Sequence, residues 1–330
     1  MRKFGVRALA CSLAAALVMT GLATPSVAKA EDILLIAPAP ESVKTLYITA
    51  DMVDCDGEIV ISGESWDRIV VSKEAESKDI YFDQVNVKEL VVESGSSSNI
   101  QLWEVKADTV TVKEPELSEL SVKELSSLLA DPATQHMAVD LFMKNMEKNA
   151  KTEKKAPSIV TMEDAQIGEV VAHGNVTLDL AQGEVENLVV KASEKQQRVN
   201  VTVKNYDGSV SYKGGDALNI TTLKLVDSRV KALKVDESAA NNYLNVNNKD
   251  SVAMKVEVAG NAQVSLNVPM GELAVTEAAT AAQVSVLNAV DELNISANAA
   301  QIDVSPIANI ASATIEGDDV KVTGPGYLAE

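Results

Sequence analysis

Cysteine is almost absent from this chain of 330 residues, which has only Cys11 and Cys55. A disulfide framework is therefore excluded, and any fold must be held by its core. Aromatic residues make up 3% of the chain, too few for a series of β-sandwich cores built round large buried rings. The two histidines, His136 and His173, lie far apart without Cys or Asp at metal-ligand spacing, which excludes the common zinc motifs. There is no G-x-S-x-G element, phosphate-binding glycine loop or Ser-His-Asp order. Positive charge is scarce too: 29 Lys and Arg stand against 48 Asp and Glu, for a net charge of −19. A surface that acidic repels phosphate backbones and argues against nucleic-acid partners.

The first thirty residues read as an export signal. Arg2, Lys3 and Arg7 form a positive head, Ala8 to Met19 an apolar stretch, and Ala28-Lys29-Ala30 a cleavage site. The apolar stretch is too short to span a bilayer as an ordinary helix, and no later segment is long enough. Cleavage after Ala30 would change the net charge to −23 and leave Cys55 as the lone cysteine. Disulfide avoidance, acidity and this leader together predict a bacterial protein that is secreted or associated with the cell surface.

What the chain has in abundance is a repeat. The pattern V-x-x-L-x-[VI] occurs at Val43-Leu46-Ile48, Val87-Leu90-Val92, Val185-Leu188-Val190, Val230-Leu233-Val235 and Val290-Leu293-Ile295, with Met270-Leu273-Val275 as a variant. Its centres Leu233, Met254, Leu273, Leu293 and Ala313 are 21, 19, 20 and 20 residues apart. A second series runs midway between them through Leu244, Val264, Val284, Ile302 and Val320. In the N-terminal half, Ile69, Leu90 and Val110 keep the same beat, as do Ile59, Ile80 and Ile100. A period of this length marks stacked repeats that bury their apolar faces against their neighbours.

Inside each unit the period is two, as in Val199-x-Val201-x-Val203, and β-branched residues dominate, which suits short half-buried strands. The three-residue step from Val87 to Leu90 changes parity, as a bend between two inward-facing stretches requires. The predicted fold is all-β: a parallel β-helix, or β-solenoid, of ~20-residue coils. A string of β-sandwiches is the rival, but hairpin dipeptides are scarce (Asp56-Gly57 and Asp207-Gly208) and a sandwich need not hold one motif in phase. Ala278 to Ala282 would fit tight corners. Pro38-Ala39-Pro40 and Pro325-Gly326 stand where the rod would be capped.

Residues 115–157 break the rhythm and divide the coils into blocks 31–114 and 158–330. Asp131-Pro132 is a helix start, and Met137, Leu141, Phe142 and Met146 then share one helical face. Leu117, Leu120, Leu125 and Leu128 suggest a helix or irregular coil before it, and Lys151 to Pro157 a charged linker. The stripe is expected to pack on the rod's flank or end; alternatively it docks a partner, for which methionines and a phenylalanine are suited. The two blocks form either one solenoid with an insertion or two solenoids joined by a helical neck.

At the level of coil period, most of the chain resembles the exported right-handed parallel β-helix proteins, which include pectate lyases, polygalacturonases and non-catalytic surface proteins. For polygalacturonases the resemblance implies an acidic pair in a G-x-D-D context followed by G-H-G and R-I-K elements. Here Gly317-Asp318-Asp319-Val320 has no histidine or arginine after it, and Ala172-His173-Gly174 precedes it. For pectate lyases it implies calcium held by clustered carboxylates. Asp51, Asp54, Asp56 and Glu58 are the densest such cluster, but the later positions of a calcium loop are missing, so a hydrated turn is the plainer reading. Tyr81 and Trp103, 22 residues apart in successive coils, would form an aromatic ladder for a glycan if stacked in register, and otherwise pack on the rod.

The sequence therefore predicts a non-enzymatic rod presenting a rigid acidic surface to an extracellular protein or glycan, without a cofactor unless calcium. A β-helix polysaccharide lyase or glycoside hydrolase and a self-assembling structural protein are the alternatives. Cys55 has no evident catalytic partner.

Overall fold

The computed structural model describes residues 43–75, 78–93, 98–114, 130, 135–153, 158–194, 198–240 and 242–328. They wind into a β-solenoid of about 11 turns. Every strand pairing among the described residues is parallel. The hairpins of a sandwich are thus excluded there; Asp207-Gly208 opens the strand Asp207–Lys213.

Each turn gives one strand to each of two faces, so most strands pair with the strand two places on. The first face runs from Ile59–Ser62, Asp79–Asp83 and Asn99–Trp103 to Lys321–Thr323. The second runs from Thr45–Ile48, Ser65–Val71, Asn86–Val92 and Lys106–Val112 to Tyr327–Leu328. The two longest strands, Ser158–Ala172 and Val176–Lys191, turn the corner and serve both faces. Stacked at ~4.8 Å per turn, the coils make a rod on the order of 50 Å long.

The core is a set of aliphatic columns. Ile69, Leu90, Val110, Val170, Leu188, Val210, Leu233, Val256, Leu273 and Leu293 follow one another in register, each buried. Burying one such side chain contributes about 1.5–3 kcal/mol, and here it does so only against the turns above and below. Two members of the expected series change. Val256, not Met254, lies between Leu233 and Leu273, while Met254 points outward and is 46% exposed. Ile302 is followed by Val322, not Val320. In each case a turn of different length moved the register without disturbing the alternation.

The predicted bend is present. Trp66 pairs with Val87 and Arg68 with Glu89, while the intervening Asp67 and Lys88 make no register pair, and this recurs in the next turns. At the other corner, between the faces, Gln84, Glu104, Asp164, Asn205, Asp227 and Asp250 all adopt left-handed backbone (φ 48–56°). They stack through backbone bonds such as Asp227 N to the Lys249 carbonyl at 2.9 Å. Short polar side chains tolerate this conformation best. Just past the corner, buried Ser228 and Ser251 accept from the backbone N–H of Tyr206 (3.1 Å) and Ser228 (3.0 Å), satisfying donors that the sheet leaves open. Of the alanine stretch, Ala279 and Ala282 are buried at a turn, and Ala278 and Ala281 are exposed.

Lys106–Val112 and Asn99–Trp103 both pair directly with Ser158–Ala172, so the coils before and after the insertion are hydrogen-bonded neighbours in one ladder. In the insertion, one helix covers Gln135–Glu153, so the first three residues of the expected linker are helical. Its covered face is not the expected stripe. Ala138 is buried and Leu141 and Asn145 half-buried, whereas Met137 (48%), Phe142 (46%) and Met146 (53%) are exposed. Asp131-Pro132, the leucines at 117–128, Pro38-Ala39-Pro40 and the export signal lie outside the described residues. Among the described residues no helix is long and apolar enough to cross a membrane.

Candidate functional site

The bend that changes parity also makes a groove. An open cavity of 940 Å³ runs across five successive turns on the outer side of the second face, from Ser65–Asp67 to Glu184–Glu186. Along its length Trp66, Val87, Ala107, Ile167 and Val185 stand in register; Trp66 is half-buried, and the other four are buried as part of the core beneath. Ser65, Asn86, Lys106, Gln166 and Glu184 form a polar column beside them. Gly168 is glycine for a steric reason: a Cβ there would stand 2.8 Å from the Asp108 carbonyl oxygen.

Charge in the groove is nearly balanced, with Asp67, Asp108, Glu184 and Glu186 facing Lys44, Lys88 and Lys106. At one end these groups tie successive turns together. Asp67 accepts from the Lys44 backbone N–H at 2.8 Å and from Lys88 Nζ at 2.7 Å. The Lys88 ammonium, followed by the Lys44 N–H, holds the Asp67 carboxyl below the usual range. Lys44 Nζ lies 4.0 Å from the centre of the Trp66 ring and 3.3 Å from Glu64, and Arg68 pairs with Glu89 at 3.0 Å. Exposed pairs of this kind contribute about 0–1 kcal/mol each; their effect is to fix side-chain positions along the wall.

The sequence-derived candidates lie elsewhere. Tyr81 and Trp103 do not stack: Tyr81 is in register with Gln101, and Trp103 with Asp83 and Glu163, two positions along the strand. The turn there is 20 residues rather than 22. Trp103 is 43% exposed; Asp83 Oδ1 is buried without a hydrogen-bond partner among the described residues, and its carboxyl is pushed up by burial and then by Glu104. Asp54 Oδ1 caps its own turn, accepting from the N–H groups of Asp56 and Glu58 at 3.0 Å each, and Thr49 bonds Asp51. No group of three His, Cys, Asp or Glu that can hold a metal comes together among the described residues. Cys55 is free and exposed. Asp318 and Asp319 are exposed at the last turns. The helical residues Met137, Phe142 and Met146 stand in solvent.

His173 sits half-buried beside Lys113 and Lys191, and its pKa is lowered to about 4 by burial first and the two ammonium groups second. Between pH 6.5 and 4 the unfolded chain therefore binds a proton that the native chain refuses. Stability is complete above pH 6.5 and falls as the pH drops towards 4. Allowing for solvent screening, the loss at about pH 5 should be about 1 kcal/mol. The difference in urea midpoint between about pH 7 and about pH 5 should shrink in His173→Gln; an unchanged difference would contradict this.

Sequence reasoning missed the groove because its residues are brought together across the 115–157 insertion; the only trace is the parity step. Comparison with known proteins finds no matching family model, no matching curated protein and no matching solved structure.

Proposed function

We propose that this is an exported bacterial β-solenoid that holds a neutral glycan chain in its groove without transforming it. One observation carries the reading: an open groove across five turns has the half-buried Trp66 ring at one end and a column of exposed polar side chains, of nearly balanced charge, along its length. Sugar rings offer apolar faces and polar edges, which match an aromatic ring and a polar wall. Near-neutrality on a chain of net charge −19 favours an uncharged polymer over an acidic one. The charged wall residues at the Trp66 end are engaged in ties between turns, which supports positioning rather than proton transfer. Export rests on the N-terminal thirty residues.

The test is a glycan array with the purified protein, with and without calcium, followed by titration of the best neutral oligosaccharide. Trp66→Ala and the exposed-site variant Lys106→Ala should each weaken binding, the first by roughly tenfold. Binding that neither variant alters would place the ligand elsewhere. Release of unsaturated or reducing sugar ends would favour the lyase or hydrolase reading instead.

A further inference from the structure

Several charged side chains on this rod meet opposite charges in the next turn. Lys44–Glu64, Arg68–Glu89, Lys231–Asp207, Lys234–Glu257 and Lys255–Glu272 all join neighbouring turns at 3.0–3.4 Å. Like charges also stack at Glu272–Glu292 and Glu104–Asp164, but there Glu272 pairs with Lys255 and Glu104 accepts from Gln84. Two further like-charged stacks, of opposite sign, have no such tie among the described residues. At the far margin of the second face, Lys191 and Lys213 are directly in register. Their column continues through His173 and Lys113, as shown by the His173 N–H to Val112 carbonyl bond at 2.9 Å. Glu93 and Asp236 stand one turn beyond its two ends. At the near margin, on the left-handed corner, Asp227 stacks on Asp250, and both are exposed. None of these two lysines and two aspartates makes an ion pair among the described residues.

Like charges directly opposite on adjacent strands repel. Stacked carboxylates are unsurprising in a chain with 48 acidic residues; stacked lysines run against its composition. The two pairs sit on opposite margins of one face, so they do not neutralise each other within one rod. They do share one axial repeat, about 4.8 Å, because both are set by the strand spacing. A second copy of the chain necessarily has the same repeat.

We propose that the Lys191–Lys213 margin docks on the Asp227–Asp250 margin of a second copy, placing rods side by side. The contact is heterologous, so it adds rods laterally rather than closing a dimer. Two bodies of net charge −19 repel at long range, whereas the docked pairs act at contact. Association should therefore be weak at very low salt, strongest near physiological ionic strength, where the Debye length is about 8 Å, and lost near about 1 M.

Light scattering of the purified full chain against concentration and salt tests this. The wild type should gain mass with concentration at intermediate salt only. The double variants Lys191→Glu/Lys213→Glu and Asp227→Lys/Asp250→Lys should each associate on the order of tenfold more weakly. Mixing the two variants should restore association, because each now offers what the other lacks. Circular dichroism and melting of each variant confirm that it is folded. A wild type that stays monomeric at every salt, charge-reversed variants that associate like the wild type, or a mixture that remains monomeric would each overturn the proposal.

Discussion

Val256→Asp should leave the chain unable to hold its C-terminal turns together, whereas Met254→Asp, two residues away, should be nearly silent. Val256 is fully buried between Leu233 and Leu273, so an aspartate there has no water and no cation to meet. An unpaired buried charge costs upwards of about 4 kcal/mol, out of a total stability that for most domains is about 5–15 kcal/mol. Because each turn is supported only by its neighbours, the damage falls on the turns stacked beyond it. Met254 is 46% exposed, with Arg229 Nη2 3.9 Å from its sulfur, so aspartate there keeps its water and gains a nearby cation. That change should stay within about 0.5 kcal/mol. Urea unfolding together with limited proteolysis distinguishes the two. Equal effects at both positions would mean that the register between Leu233 and Leu273 is not the one described.

Gly214→Ala is the second change with a large expected effect. An added Cβ would run into Ala239 Cα, the Ser238 carbonyl oxygen and Asn242 Oδ1, two of them backbone atoms of the next turn. Asn242 is buried and joins the turns here. Its Oδ1 accepts from Gly215 N at 2.9 Å, and its Nδ2 donates to the Ala217 carbonyl at 2.9 Å. Forcing the two turns apart both overpacks the crossing and leaves that amide unsatisfied, for a cost of about 3 kcal/mol. Gly63→Ala makes a useful contrast. Gly63 has φ +70°, but a Cβ added there would meet nothing within 4 Å, so only the backbone penalty applies. That penalty is about 1 kcal/mol. If thermal melting ranked Gly63→Ala as the worse of the two, steric crowding at Gly214 would not be the reason for its glycine.

Both predictions bear on how much of the fold is legible in the sequence. The columns Ile69-Leu90-Val110 and Ile59-Ile80-Ile100 can be read directly, because those turns are nearly constant in length and their inward residues are aliphatic. The Val87 to Leu90 step announces the bend for the same reason. Met254 is misassigned because its 21-residue spacing from Leu233 fits the average beat better than the actual 23. The extra residues are absorbed in the turns, where side-chain type carries no periodic mark. The helix is legible from its 3.6-residue pattern. Which side of it is covered is not, since Met137, Leu141, Phe142 and Met146 look like the apolar face and only Leu141 is partly covered.

The left-handed corner is hidden for a related reason. Gln84, Glu104, Asp164, Asn205, Asp227 and Asp250 share a conformation but not a residue type, so no motif joins them. Their common cue is the next residue along the chain, a buried small or apolar side chain such as Val85, Val105, Ala165 or Ser228.

By itself, the order of residues determined the class of fold, the length of a turn and the identity of most core positions, because burial against a repeating neighbour imposes a period that chemistry alone reveals. Only the tertiary structure decided which side chains from different turns meet. That depends on hydrogen-bonded register, and register responds to each residue gained or lost in a corner. The polar groove column from Ser65 to Glu184, the Asp67–Lys88 tie and the opposed Lys191–Lys213 and Asp227–Asp250 margins exist only once the turns are stacked.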